Sequence, residues 1–166
     1  MKAMVVYESF YGNTRLVAES IRNGLSQHME THMVNIITMP PDFSERPELL
    51  VVGSATRGFR PCPATIEWLK SLSPFDLEGT MVAAFDTRIA LPSIKNGILR
   101  WLVKTGGFAA ADIQRGLVKG GGAVVTPSTG FEVSDREGPL LKGELERAYN
   151  WGSTIGAKAL DRVVMH

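Results

Sequence analysis

Residues 4–21 read MVVYESFYGNTRLVAESI, and this stretch decides the fold. Its first part, extended back to Ala3, is an unbroken apolar run to Tyr7, the pattern of a strand buried on both faces. A loop, Glu8-Ser9-Phe10-Tyr11-Gly12-Asn13-Thr14, follows it. From Asn13 the period changes. Val17, Ile21, Gly24 and Leu25 recur at helical spacing with Leu16 beside them, which predicts a helix ending near positions 26–28. The loop itself is suited to a phosphate: amides at a helix N-terminus, together with the helix dipole, favour an anion. The hydroxyls of Ser9 and Thr14 and the amide of Asn13 can donate further hydrogen bonds, and Gly12 allows the tight turn. The other reading is structural, with Asn13 or Thr14 capping the helix.

Working outward, Thr31 to Thr38 alternates only partly, which suits an edge strand. Pro40 and Pro41 bar its continuation, and positions 39–48 leave room for one helical turn at most. Leu49 to Val52 reads as a third strand, followed by Gly53-Ser54-Ala55-Thr56. Pro63 to Leu72 reads as a helix burying Ile66, Leu69 and Leu72. Met81 to Phe85 and Ala123 to Thr126 give a fourth and a fifth strand, and a last helix starts near Gly143 with Leu145, Ala148, Gly152, Ile155 and Ala159 inward. Strands alternating with helices predict a parallel sheet covered on both faces. Ligands of such sheets bind beyond the carboxyl ends of the strands, so the loops after Tyr7, Gly53 and Phe85 are the places to search.

The connection from Asp86 to Gly122 exceeds what a crossover needs. Two helical patterns fit in it, separated by Gly106-Gly107. Ala109, Ile113, Gly116 and Leu117 mark the crossover helix. Ile94, Ile98, Trp101, Leu102 and Thr105 mark an extra one. Its apolar face either packs on the domain or, with Lys95, Arg100 and Lys104 nearby, forms a lid or partner surface.

Composition narrows the class. At 166 residues the chain fits one domain, residues 1–166. A lone cysteine, Cys62, rules out an internal disulfide framework and reads as a small buried residue, not a redox thiol. A net charge of +1 gives no reason to invoke nucleic acid. No apolar run reaches the ~18 residues of a membrane span, and the N-terminus is strand-like, not signal-like, so a cytoplasmic location is expected. The chain has no G-x-x-x-x-G-K-[ST] and no G-x-G-x-x-G after the first strand. Gly120-Gly121-Gly122 precedes the fifth strand and reads as a helix stop. His28, His32 and His166 have no metal spacing and accompany no motif loop, so no metal site and no protein-side catalytic residue is expected.

The first loop resembles that of the flavodoxin family, [ST]-x-[ST]-x-[NG]-[TS], with Ser9, Tyr11, Asn13 and Thr14 on the phosphate positions. Tyr11 stands where a small hydroxyl residue is common. The resemblance continues through LLVVGSATRG (49–58), VAAFDTRI (82–89) and EGPLLKGELERAYNWG (137–152) and is weakest from about 91 to 107. It is closest to short, stand-alone flavodoxin-like proteins of prokaryotes. It implies an α/β fold, a flavodoxin-like three-layer sandwich with a five-stranded parallel sheet in order 2-1-3-4-5, and FMN at the carboxyl edge. FMN is expected over FAD or NAD because the loop closes the site at one phosphate.

Under that resemblance Ser9, Phe10, Tyr11, Gly12, Asn13 and Thr14 hold the phosphate. Thr56, Arg57, Gly58 and Phe59 lie along the isoalloxazine, and Asp86, Thr87 and Arg88 meet its pyrimidine edge. Gly58 would present its backbone to N5 and Phe59 would cover one face. Arg57 or Arg88 would favour a reduced, anionic ring and Asp86 would disfavour it. The plainer alternatives are a turn glycine, a core phenylalanine and solvated arginines. The implied function is FMN-dependent electron transfer to a redox partner protein or a small-molecule acceptor, with the flavin carrying the electrons. The rivals are an FMN enzyme acting on quinones or porphyrinogen-like substrates, and a flavin-free binding module. Many flavodoxins are strongly acidic, which steers them to basic partners; this chain, with a pI near 7.9, lacks that field.

Overall fold

The computed structural model describes residues 1–39, 41 and 44–165, with no side chains at positions 103, 105 and 106. The expectations for Pro40, for the Thr105 side chain and for His166 lie outside the described residues. β1 (Lys2–Glu8) pairs in parallel with β2 (Glu30–Asn35) on one side and β3 (Leu49–Ala55) on the other. β4 (Met81–Ile89) lies beyond β3 and β5 (Ala123–Val124) beyond β4, giving the order 2-1-3-4-5.

The two-residue period of the strands divides the core. Val5, Val51, Ala83 and Phe85 face α1 (Asn13–Leu25) and α5 (Glu144–Val164). Val6, Val52, Val82 and Ala84 face the layer of α2 (Pro63–Ser71) and α4 (Ala109–Lys119). Near-continuous apolar strands are the consequence of covering both faces. α1 and α5 approach so closely that a methyl group at Gly24 would meet the Tyr149 carbonyl and the Ser153 amide, and one at Gly152 would meet the Ile21 carbonyl. Leu145, expected inward, sits exposed in the first turn of α5. Ile66 is only half-buried, because α2 turns it towards a cavity and not into the core.

Four strands differ in extent from the sequence reading; β3 runs on to Ala55 and β5 stops at Val124. β2 stops at Asn35, whose side chain accepts the Ile37 amide at 3.0 Å and whose carbonyl accepts the Met39 amide. An Asx turn of this kind replaces the ladder. β4 runs four residues past Phe85, so Asp86, Thr87 and Arg88 are strand residues, not a loop. Its extension is made possible by β6 (Thr129–Val133), which pairs in parallel with Phe85–Ile89. β5 and β6 occupy the same edge position of the sheet, interrupted by Pro127, which has no N–H to donate.

A 3-10 turn at Leu91–Ser93 leads to α3 (Gly97–Gly106), capped by the side chain of Asn96, whose Oδ1 accepts the Ile98 and Leu99 amides at 3.0 and 3.1 Å. Ile94 is buried before the helix begins, whereas Ile98, Leu99, Trp101 and Leu102 on α3 are exposed, Ile98 at 74% and Trp101 at 63%. Of the face expected to pack on the domain, only Ile94 is buried among the described residues. Among the described residues no helix is long and apolar enough to cross a membrane.

Candidate functional site

The carboxyl ends of β1, β3, β4 and β6 surround a cavity of about 600 Å³, within the ~300–1,000 Å³ usual for small-molecule sites. One end is the loop between β1 and α1. Gly12 takes the left-handed conformation, φ 95°, that turns the chain into the helix. Ser9 Oγ accepts the amides of Gly12 and Arg15 at 3.1 and 3.3 Å, so it shapes the loop from within and does not line the cavity. The amides of Tyr11, Asn13 and Thr14 have no acceptor among the described residues, and the first turn of α1 holds no acidic side chain. Donors left over at a helix start, backed by the dipole, suit one anion. Thr14 and Thr87 hydroxyls are 2.7 Å apart and both line the cavity. One of their two protons serves that bond, leaving the other to donate outward. The Asn13 side chain instead donates to the Glu137 carbonyl at 3.0 Å, tying α1 to the loop after β6.

The second loop is a tight hairpin. Arg57 and Arg60 exchange both backbone hydrogen bonds, at 2.8 and 3.0 Å, across Gly58 and Phe59. Both of those residues have positive φ, 52° and 68°, the signature of a type I′ turn. Phe59 is the one non-glycine residue with positive φ among those described. Phe59, expected to cover one flavin face, is half-buried and does not line the cavity, where the I′ turn presents Gly58. The exposed Phe10 lies under the Arg57 guanidinium, 4.2 Å from its centre, and packs edge-on to Tyr11.

Asp86, expected to meet the ring, is fully buried and absent from the cavity wall. Its carboxylate accepts Arg88 Nε and Nη2 at 2.6 and 2.8 Å and the Ala110 amide at 2.8 Å. Burial pushes the Asp86 carboxyl up from its ordinary value, against the pull of Arg88, the Ala110 amide and the Thr56 hydroxyl. What reaches the cavity is Arg88, held flat over the Phe108 ring at 3.8 Å. Thr56, also on the wall, accepts the Ala109 amide at 3.0 Å, so the start of α4 braces both loops.

Apolar walls come from Ala55, Pro61, Ile66, Ile89 and Val133. The sequence reading missed Val133 and Arg136, which arrive on β6 and the turn after it. It also missed Glu8, which is buried and accepts the Thr65 amide and hydroxyl, both at 2.7 Å, locking β1 to the N-terminus of α2. Cys62 is buried with its thiol pushed up by burial, as a lone structural residue would be. A flat ring system bearing a single phosphate matches this cavity: apolar walls, backbone at Gly58, and leftover N–H donors at one end. The residues present fit FMN.

No family model matches the chain. A flavodoxin of Clostridium saccharobutylicum is 31% identical over 121 residues, spanning 66% of this chain and 76% of that protein. Among solved structures, an archaeal flavodoxin superposes with a TM-score of 0.69 at 22% identity, over 96% and 99% of the two chains. Flavodoxin 2 of Bacillus cereus gives 0.70 at 20% identity, over 98% and 99%. Neither the quinone or porphyrinogen enzyme nor the flavin-free module is favoured by these relatives. Sequence kinship, strand order and the fit of the cavity agree: the chain belongs to the flavodoxin family and is an FMN-binding, flavodoxin-like electron-transfer protein.

Proposed function

We propose that FMN lies with its phosphate on the amides of Tyr11, Asn13 and Thr14 and its ring between the Thr56–Gly58 turn and Thr87–Arg88. The observation that carries this orientation is the set of acceptor-free amides at the start of α1, at one end of an otherwise apolar and cationic cavity. FMN, when bound, takes up and passes on electrons. The protein's part is to bind and orient it. The Thr14–Thr87 pair directs one proton at the phosphate, while Gly12 and Ser9 hold the loop in shape. Ile66, Ile89 and Val133 exclude water from the ring, and Gly58 brings bare backbone to N5. Arg57 and Arg88 stabilise negative charge on the ring, with Arg88 moderated by Asp86. We also infer that residues 1–166 act as one domain, for which the single continuous sheet speaks. The working location is cytoplasmic, in keeping with a chain whose one cysteine is unpaired. The electrons go to a redox partner protein or a small-molecule acceptor.

The test is a titration of Thr14→Ala with FMN and with riboflavin, Ser9 being left intact because it holds the loop. Each hydrogen bond to a charged phosphate is worth ~1.5–3 kcal/mol, so FMN affinity should fall by about tenfold or more while riboflavin affinity changes little. Equal losses for both ligands would remove the phosphate assignment.

A further inference from the structure

The net charge of +1 conceals a segregation that appears only when the strand ends are brought together. Arg57 and Arg60 follow β3, and Arg136 follows β6; all three are exposed on the cavity wall. Among the described residues none of these guanidinium groups has a carboxylate within 4.0 Å. Lys95, Arg100 and Lys104 are exposed on and just before α3. No acidic residue occurs from Thr87 to Ala111. Both roots of this segment are at Arg88: Ile89 lines the cavity before it, and Phe108 lies under Arg88 after it. Among the described residues no carboxylate lines the cavity: Asp86 is consumed by Arg88, Glu8 by α2, Asp112 by Arg115 and Glu144 by Arg147, and Glu67, Glu132, Asp135, Glu137 and Glu146 stand off its wall. At the other edge, Glu30, Glu45, Glu48, Asp76 and Glu78 precede β2, β3 and β4, with Lys2 paired to Glu45 at 2.7 Å.

We propose that this cationic rim is the docking surface for an acidic redox protein, which exchanges electrons with the flavin through the cavity mouth. The inference rests on the FMN reading above and adds the partner's chemistry. Charges spread over three loops raise a local field that a net charge does not report, and such fields steer association and fix orientation. Arg57, Arg60, Arg88 and Arg136 line a concave opening, with Lys95, Arg100 and Lys104 on the segment that leaves its wall at Ile89, and a concave opening fits the convex surface of a small carrier better than a flat bilayer. The exposed Ile98 and Leu99 on α3 add apolar area beside Lys95 and Arg100, which a charged rim needs for a productive contact.

The experiment mixes FMN-loaded protein with two one-electron carriers. A reduced, acidic [2Fe–2S] ferredoxin gives up one electron to the oxidised flavin. A basic, oxidised c-type cytochrome takes one electron from the reduced flavin. As salt rises from about 20 to about 300 mM, the ferredoxin rate should fall about tenfold while the cytochrome rate stays flat or rises. Lys95→Glu/Lys104→Glu should leave the FMN absorbance spectrum unchanged, slow the ferredoxin several-fold and speed the cytochrome. Calorimetry of the flavin-free protein with the ferredoxin at low salt reads the same surface without FMN, so a failure of the flavin site stays distinct from a failure of the rim. A rate that falls with salt for the cytochrome and not for the ferredoxin would overturn the proposal. So would co-sedimentation with phosphatidylglycerol vesicles that the double variant abolishes, which would assign the rim to lipid.

Discussion

The two ends of the cavity are made of different materials. The end at residues 9–14 comes from one continuous stretch, shaped from within by Ser9 and anchored outward by Asn13 to Glu137 and Thr14 to Thr87, and it offers neutral N–H and O–H donors. The opposite wall draws Arg57, Arg88 and Arg136 from three separate crossings of the sheet, and it is set by a buried carboxylate and an aromatic ring far along the chain. The first end can recognise a group by fixed geometry alone. The second adjusts charge, and its geometry depends on everything that positions Asp86 and Phe108.

That contrast breaks most easily at Asp86. Asp86→Ala leaves the Arg88 guanidinium and the Ala110 amide without their buried partner, a loss of about 3 kcal/mol for a broken buried pair. Urea unfolding should show it as a lowered midpoint with the slope unchanged. A loss below ~1 kcal/mol would mean that Arg88 is not held by Asp86 and that the two ends differ less than they look.

A smaller effect is expected where the phosphate end gets its support. Gly24→Ala drives a methyl group against the Tyr149 carbonyl and Ser153 amide of α5, and overpacking against backbone costs ~2 kcal/mol. Thermal unfolding of the variant measures it. No change would show that α1 can shift, and that the local contacts of Ser9 suffice to hold the loop.

The smallest concerns Gly58. A Cβ there meets nothing within 4 Å, but φ is 52°, so Gly58→Ala carries only the left-handed penalty of about 1 kcal/mol. Urea unfolding of the flavin-free protein should report that value. FMN affinity should fall several-fold further if the ring lies against this turn, and unchanged affinity would move the ring away from Gly58.

The legible parts of the molecule are those written in consecutive residues. The strand–loop–helix of residues 3–25 follows from a change of period around Gly12, and mixed polarity put β2 at the edge. The parallel sheet followed from alternation, and the crossover helix from Ala109, Ile113 and Leu117, all buried as expected. The losses have one cause. β4 looked finished at Phe85 because Asp86-Thr87-Arg88 is polar; the segment stays extended because β6 pairs with it and Asp86 closes on Arg88. Phe59 reads as a ring cover until the exchange of hydrogen bonds between Arg57 and Arg60 forces it to positive φ and away from the cavity.

By itself, then, the sequence determined the fold class, the strand–loop–helix of residues 3–25 and the family, because periodicity and a short motif are local properties that need no knowledge of distant residues. Only the tertiary structure decided the electrostatic character of the site. Net charge is a sum that ignores position, whereas the field at the cavity depends on which strand ends meet. Folding gathers Arg57, Arg60 and Arg136 around one opening and leaves Glu30, Glu45 and Glu48 at the far edge of the sheet.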